Sequence, residues 1–295
     1  MDNFKKLLDH ADKMAEETFV AAIIDELYDK SLDNRKMFVD NSFDFMVRNS
    51  YNQKFSWPLL TEGLISRIQQ FLQGKKCLSV MSGKGYLEYF LYIKNCDIIA
   101  TDIKGNDEVN SFHTIKMNSL FKVIHDHCGM SGPKRFRALR SFDVIECDAI
   151  KAVTKYHDRD VLLMSWPNYM NSIGEKTLEF ALQVGIKYII YIGEGDGGCC
   201  ATDEFFEILQ EKTIAIQDIK MSRFAGIWDN CTVYESKLIS VSSDIKYRSP
   251  LLNKRIHSFV RNNASLKNKG LKKLIKKHFG VQLTQKHLNF MRELI

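Results

Sequence analysis

Lys76-Cys77-Leu78-Ser79-Val80-Met81-Ser82-Gly83-Lys84-Gly85-Tyr86-Leu87-Glu88 is the stretch on which the fold turns. Cys77 to Met81 reads as a buried strand, Ser82 to Gly85 breaks it, and Tyr86, Leu87, Phe90 and Leu91 resume at helical spacing. A strand feeding a helix through a glycine turn lets backbone approach a ligand closely. The first turn of the helix beyond offers N–H groups that have no partner of their own. Seventeen positions past Gly85, a second apolar run, Asp97 to Thr101, ends in Asp102. A carboxylate at the end of a second strand can accept both hydrogen bonds from a ribose.

These residues resemble the class I S-adenosylmethionine (SAM)-dependent methyltransferases, over roughly Trp57 to Lys237. Members usually carry an acidic residue two positions before a G-x-G-x-G turn. Here Met81 stands at the first glycine and Ser79 at the acidic position. The resemblance implies SAM as cofactor, with Ser82, Gly83 and Gly85 along its methionine and ribose and Asp102 on the ribose hydroxyls. A third strand, Phe142 to Glu146, leads to Asp148, which the resemblance sets against the adenine. Taken alone, Asp148 reads as the N-cap of a helix from Ala149 to Tyr156, and the two roles are compatible.

A fourth strand, Asp160 to Ser165, runs into Trp166-Pro167-Asn168-Tyr169. The tetrapeptide is similar to the N/D/S-P-P-Y/F/W motif of methyltransferases that act on planar amino groups. That likeness implies an acceptor site at Trp166, Asn168 and Tyr169, whereas turn chemistry alone makes it a proline turn with two packed aromatics. The fifth strand, Lys187 to Ile192, ends in Gly193-Glu194-Gly195-Asp196-Gly197-Gly198-Cys199-Cys200, followed by a helix that Thr202 caps. So many permissive residues predict close approach to a ligand; Glu194, at the same edge as Trp166 to Tyr169, is expected at the acceptor, or else simply solvated. W-P-x-Y followed by G-E-x-x-G-G also resembles methyltransferase-like proteins with a WPPY loop. Thr213 to Met221 and Cys231 to Val241 alternate as two strands, and the resemblance implies that they close the sheet as an antiparallel hairpin. The lack of a G-x-G-x-x-G register argues against an NAD enzyme.

The expected architecture is α/β: a seven-stranded, mostly parallel Rossmann-like sheet in the order 3-2-1-4-5-7-6. It spans residues 57–243, between an N-terminal helical extension (1–56) and a basic helical tail (244–295). The extension has helical periodicity from Phe4 to Leu27, then an aromatic, unpatterned stretch to Phe55. Trp57-Pro58 is expected to open a helix that Gly74 closes. The long connection after Asp102 should hold a helix over Met117 to His127, and its Lys134, Arg135, Arg137 and Arg140 should be solvated. His125-Asp126-His127-Cys128 has no second ligand cluster, so no metal is expected.

Composition narrows the function classes. The chain has 295 residues, 45% hydrophobic, which suits one large domain with appendages. No apolar run is long enough for a membrane span and the N-terminus lacks a signal-peptide core, so a soluble, cytoplasmic protein is expected. Seven cysteines without C-x-x-C spacing read as reduced thiols. The net charge of +6 hides a bipolar chain: from Lys246 onward thirteen Lys/Arg face one acidic residue, leaving 29 basic against 35 acidic residues before it. The tail's helix, Ser265 to Phe279, sets Leu271, Leu274 and Ile275 against Lys272, Lys273, Lys276 and Lys277, and a second helix starts at Thr284. Such a tail fits RNA or another polyanion, or docks on the body with its lysines in water. The expected function is SAM-dependent methyl transfer with nucleic acid (RNA) as acceptor. The alternative is a scaffold without catalysis that binds nucleic acid or a protein partner.

Overall fold

The computed structural model describes residues 2–24, 42–103, 143–224, 226–237, 260–261, 263 and 266–279. Seven strands form one sheet: β1 (Lys76–Val80), β2 (Asp97–Asp102), β3 (Val144–Glu146), β4 (Val161–Ser165), β5 (Tyr188–Gly193), β6 (Thr213–Ile219) and β7 (Asn230–Ser236). Their order is β3-β2-β1-β4-β5-β7-β6, as the sequence led one to expect. The pairs among β1 to β5 are parallel, and β7 runs antiparallel to both β5 and β6.

Strand alternation splits the core in two. Val161 and Leu163 of β4 join one apolar cluster, while Leu162 and Met164 join the other. Parallel strands covered on both faces need such continuous apolar runs. On the second face pack α5 (Ala149–Lys155), α6 (Ile173–Val184) and α7 (Asp203–Lys212). On the first lie α3 (Glu62–Leu72) and α4 (Tyr86–Ile93), together with α1 (Asp2–Ile24) and α2 (Ser42–Lys54).

The N-terminal helices share the sheet's core. Phe19 of α1 stacks on Phe55 with ring centroids 4.0 Å apart and meets Tyr86 of α4 edge-on at 5.4 Å. Tyr51 is fully buried, and its hydroxyl accepts from the Leu60 N–H at 3.0 Å. Truncating Phe19 to alanine should therefore cost about 3–5 kcal/mol. The unpatterned stretch before Phe55 contains the 13-residue α2, whose Lys54 pairs with Asp12 and Glu16 of α1, both at 3.0 Å.

One boundary is corrected. The helix expected from Trp57 starts at Glu62, because the residue before a proline is pushed out of helical geometry. Thr61 takes the cap instead, its hydroxyl accepting from the Leu64 N–H at 3.1 Å. In the tail, α8 (Asn268–Phe279) buries Leu271 and Ile275 completely and leaves Lys273 and Lys277 exposed. The expectations for Met117 to His127, for the metal-like His125 to Cys128, for the basic group Lys134 to Arg140 and for the helix at Thr284 lie outside the described residues. Among the described residues, no helix is long and apolar enough to cross a membrane.

Candidate active site

The turn after β1 opens with Met81 at φ +55°, followed by Gly83 at +54° and Gly85 at +71°. Left-handed geometry is uncommon for a residue with a Cβ and costs on the order of 1 kcal/mol or more, so Met81 carries local strain. Several bonds hold the turn. The Ser82 N–H donates to the Thr101 carbonyl at 3.1 Å, and the Gly83 N–H donates to Asp102 Oδ2 at 2.9 Å. A Cβ at Gly83 would meet nothing within 4 Å. The strand-end carboxylate thus fixes the glycine turn.

A buried carboxylate stands beside Ser79, on the helix. Glu88, in the first turn of α4, is 2% exposed, and its Oε1 accepts from Ser79 Oγ at 2.6 Å. Ser82 Oγ donates to Ser79 Oγ at 3.0 Å, so the two serines and Glu88 form one chain of hydrogen bonds beneath the turn. Burial pushes the Glu88 carboxyl up to about 7, against the opposing pull of the serine hydrogen bonds.

Two cavities meet at this turn. A cavity of ≈250 Å³ is lined by Ser82, Gly83, Lys84 and Glu88 on one side and by Ser56, Trp57 and Trp166 on the other. A second of ≈480 Å³ is lined by Asp102, Ile103, Cys147, Asp148, Asn168 and Lys176. Met81 and Trp166 line both. Asp148 also caps α5, its Oδ1 accepting from the Ile150 and Lys151 N–H groups at 3.1 Å.

At the end of β4, Trp166 is also left-handed, at φ +50°, and its N–H donates to the Ile192 carbonyl at 2.8 Å. Its ring stacks on Trp57 with centroids 5.0 Å apart and planes 15° from parallel. Its indole Nε1–H donates to Asp229 Oδ1 at 2.8 Å. Asp229 is 3% exposed, and its Oδ2 has no hydrogen-bond partner among the described residues. Burial raises its carboxyl to about 7. Asn168 closes a turn by accepting from the Met170 N–H at 2.7 Å and bridges to Cys200, while Tyr169 projects outward, 53% exposed.

In the loop after β5, Gly193 and Gly198 are crowded, whereas an added Cβ at Gly197 would meet nothing within 4 Å. A Cβ at Gly193 would lie 2.8 Å from Cys200 Sγ and 3.0 Å from the Tyr191 hydroxyl; one at Gly198 would lie 2.5 Å from Glu194 Cβ. These glycines make room for the loop's own side chains. Glu194 is buried and acts as a clamp: Oε2 accepts from the Cys199 N–H at 2.8 Å and Oε1 from the Trp228 N–H at 3.1 Å.

The structure therefore gathers Ser82, Gly83, Asp102, Asp148, Trp166 and Asn168 around one divided cleft. Gly85 stands behind it as the N-cap of α4, Tyr169 lies outside on the rim, and Glu194 lies beneath the loops. Sequence reasoning missed Trp57, Glu88 and Asp229. Glu88 had a signal, as the one charge in the apolar helix Tyr-Leu-Glu-Tyr-Phe-Leu-Tyr-Ile.

A scan of the sequence against protein-family models gives no match, and neither does a search of curated proteins. Among solved structures, the magnesium protoporphyrin IX methyltransferase of Synechocystis PCC 6803, with bound SAM, is 8% identical over 77% of this chain and 97% of its own, at a TM-score of 0.40. A protein of the NADB-Rossmann superfamily from Streptococcus agalactiae is 12% identical over 78% and 93%, at 0.34. TrmN from Thermus thermophilus is 12% identical over 58% and 48%, at 0.36. Likenesses of this strength carry no argument about the site, which stands on its own geometry.

Proposed function

We propose that this protein binds SAM in the divided cleft and transfers its methyl group, with RNA as the acceptor class. The carrying observation is the position of the cleft. It opens at the carboxyl ends of β1, β2 and β4, where the strand order reverses, with the Asp102 carboxylate tied to the glycine turn at its wall. Open α/β sheets bind ligands at that switch point.

The residues present fit the cofactor. Asp102 accepts from the ribose hydroxyls, and Asp148 and Ile103 bound the larger cavity on the adenine side. Glu88, at the floor of the smaller cavity, is the carboxylate for the ammonium group. Gly83, with open space at its missing Cβ, lets backbone approach. Bound SAM would supply a methyl group on a cationic sulfur that keeps the electron pair when the carbon–sulfur bond breaks. The chain's own contribution is positioning, which can account for most of such a rate. Trp166 and Asn168 wall the acceptor side, Tyr169 stands at its mouth, and Glu194 holds the loops that carry them. Tyr169→Ala should abolish transfer and leave SAM binding intact; full turnover would make the loop structural.

Acceptor class follows from charge. The tail's excess of twelve positive charges should neutralise several phosphates, so RNA binding must weaken steeply with salt. Because Leu271 and Ile275 are buried, the clean test replaces the exposed Lys273 and Lys277 with Gln rather than deleting the helix. Weaker binding with a shallower salt slope is expected, and an unchanged slope would remove the tail from the RNA site. A second reading, a scaffold without catalysis for nucleic acid or a protein partner, draws on Met81, which stands where a glycine is usual and lines both cavities.

A further inference from the structure

The carboxyl rim of the sheet carries more exposed aromatic surface than folding requires. Trp57, stacked on Trp166, is 53% exposed; Trp228 is 69% exposed and Tyr169 53%. Trp166 links their positions: it stacks on Trp57 and is bonded to Asp229, the chain neighbour of Trp228, and Tyr169 follows it by three positions. Exposed aromatics of this size, grouped at the mouth of a cleft, mark a contact surface.

Two exposed rings carry an arginine. The Arg223 guanidinium lies over the Trp228 ring, 4.8 Å from its centroid. Arg48 lies 5.6 Å over the exposed Phe45 ring and is close enough to act electrostatically on Asp229, as is Arg223. Exposed rings with a guanidinium over one of them suit a chain that is itself planar rings on a phosphate backbone. Duplex bases are stacked on one another and offer no free faces, whereas single-stranded bases do. A protein partner would meet the aromatics equally well, but would not call for a guanidinium laid over the Trp228 ring.

We infer that this rim is a single-stranded nucleic-acid platform, on which one base continues the Trp166–Trp57 stack and a neighbouring base or phosphate engages Trp228 and Arg223. The inference rests on the reading of the cleft as a transfer site, because it is the face from which an acceptor base would enter. It names the substrate class as unpaired nucleotides, held by their rings rather than by the tail's charge alone.

The test is fluorescence anisotropy with a labelled 12-nucleotide single-stranded RNA, the abasic strand of equal length, and the RNA annealed to its complement. The expected result is affinity in the order single strand, then duplex and abasic strand. Trp228→Ala, which removes an exposed side chain and should not affect folding, is expected to weaken the single strand about tenfold and leave the salt slope unchanged. Trp57→Ala should act alike, with melting temperature recorded to separate loss of stacking from loss of fold. Equal binding of the abasic strand, or a Trp228→Ala protein of unchanged affinity, would overturn the platform. SAM titration of the same proteins keeps the two readings apart. Single-strand stacking without SAM binding would leave the platform standing and remove the transfer reading; SAM binding without stacking would do the reverse.

Discussion

The turn after β1 and the turn after β5 look alike in sequence and do opposite things. Both place glycines and a carboxylate at the carboxyl edge of the sheet. At Gly83 an added Cβ would meet open space, whereas at Gly193 and Gly198 it would collide with Cys200, Tyr191 and Glu194. Glycine density therefore reports an unusual backbone or a crowded one, not which of them holds. The carboxylates differ in the same way: Glu88 reaches into a cavity on a chain of serines, while Glu194 is consumed by two backbone N–H groups.

The largest expected effect is on stability at the crowded turn. Gly193→Ala should lose about 3 kcal/mol or more in urea denaturation, since the new methyl meets a sulfur and a hydroxyl inside contact distance. Gly83→Ala should lose only about 1–2 kcal/mol, the cost of left-handed backbone. Equal losses would erase the distinction between the turns.

Next comes the pH dependence of the open turn. An unfolded Glu88 ionises near 4.5, while the folded one holds its proton to about 7. Between those values the native state binds more protons, so stability falls as pH rises from about 4.5 to about 7 and then levels off. For Glu88 the loss is on the order of 3 kcal/mol. Asp229, raised from 3.8 to about 7, contributes with the same sign. Glu88→Gln should therefore flatten the slope in part, and an unaltered slope would show that Glu88 is ionised at the turn throughout.

Glu194→Gln is expected to cost about 2 kcal/mol, because two charge-assisted bonds weaken, with SAM affinity preserved. A variant that folds normally yet loses SAM would move Glu194 from clamp to ligand contact. Smallest of all, Tyr169→Ala should change the melting midpoint by no more than about 0.5 kcal/mol equivalent, as an exposed rim residue should.

The same contrast shows what can be read from sequence. The strands were legible because each is a short apolar run followed by a helix of separate periodicity, while their order and the closing hairpin came from the family resemblance. Asp102 and Asp148 line the larger cavity; the strand end made Asp102 a candidate, and the resemblance made Asp148 one. The crowding at Gly193 and Gly198 was not legible, because the atoms that demand those glycines come from Tyr191, Glu194 and Cys200 folding back on the loop. Trp57 and Asp229 were not legible as site residues. Their meeting through Trp166 spans more than 170 positions and depends on α3 and the β6–β7 turn arriving at one edge. The N-terminal helices hid their role likewise, since Phe19 meets Phe55 and Tyr86 only in the folded core.

The open turn is claimed as a SAM site, and calorimetric titration with SAM tests that claim most directly. The native protein should give a saturable single-site isotherm, and Asp102→Ala should weaken it by about 1.5–3 kcal/mol, the worth of hydrogen bonds to a charged group. Absence of binding heat from the folded native protein across buffers of different ionisation enthalpy, or undiminished affinity in Asp102→Ala, would contradict it.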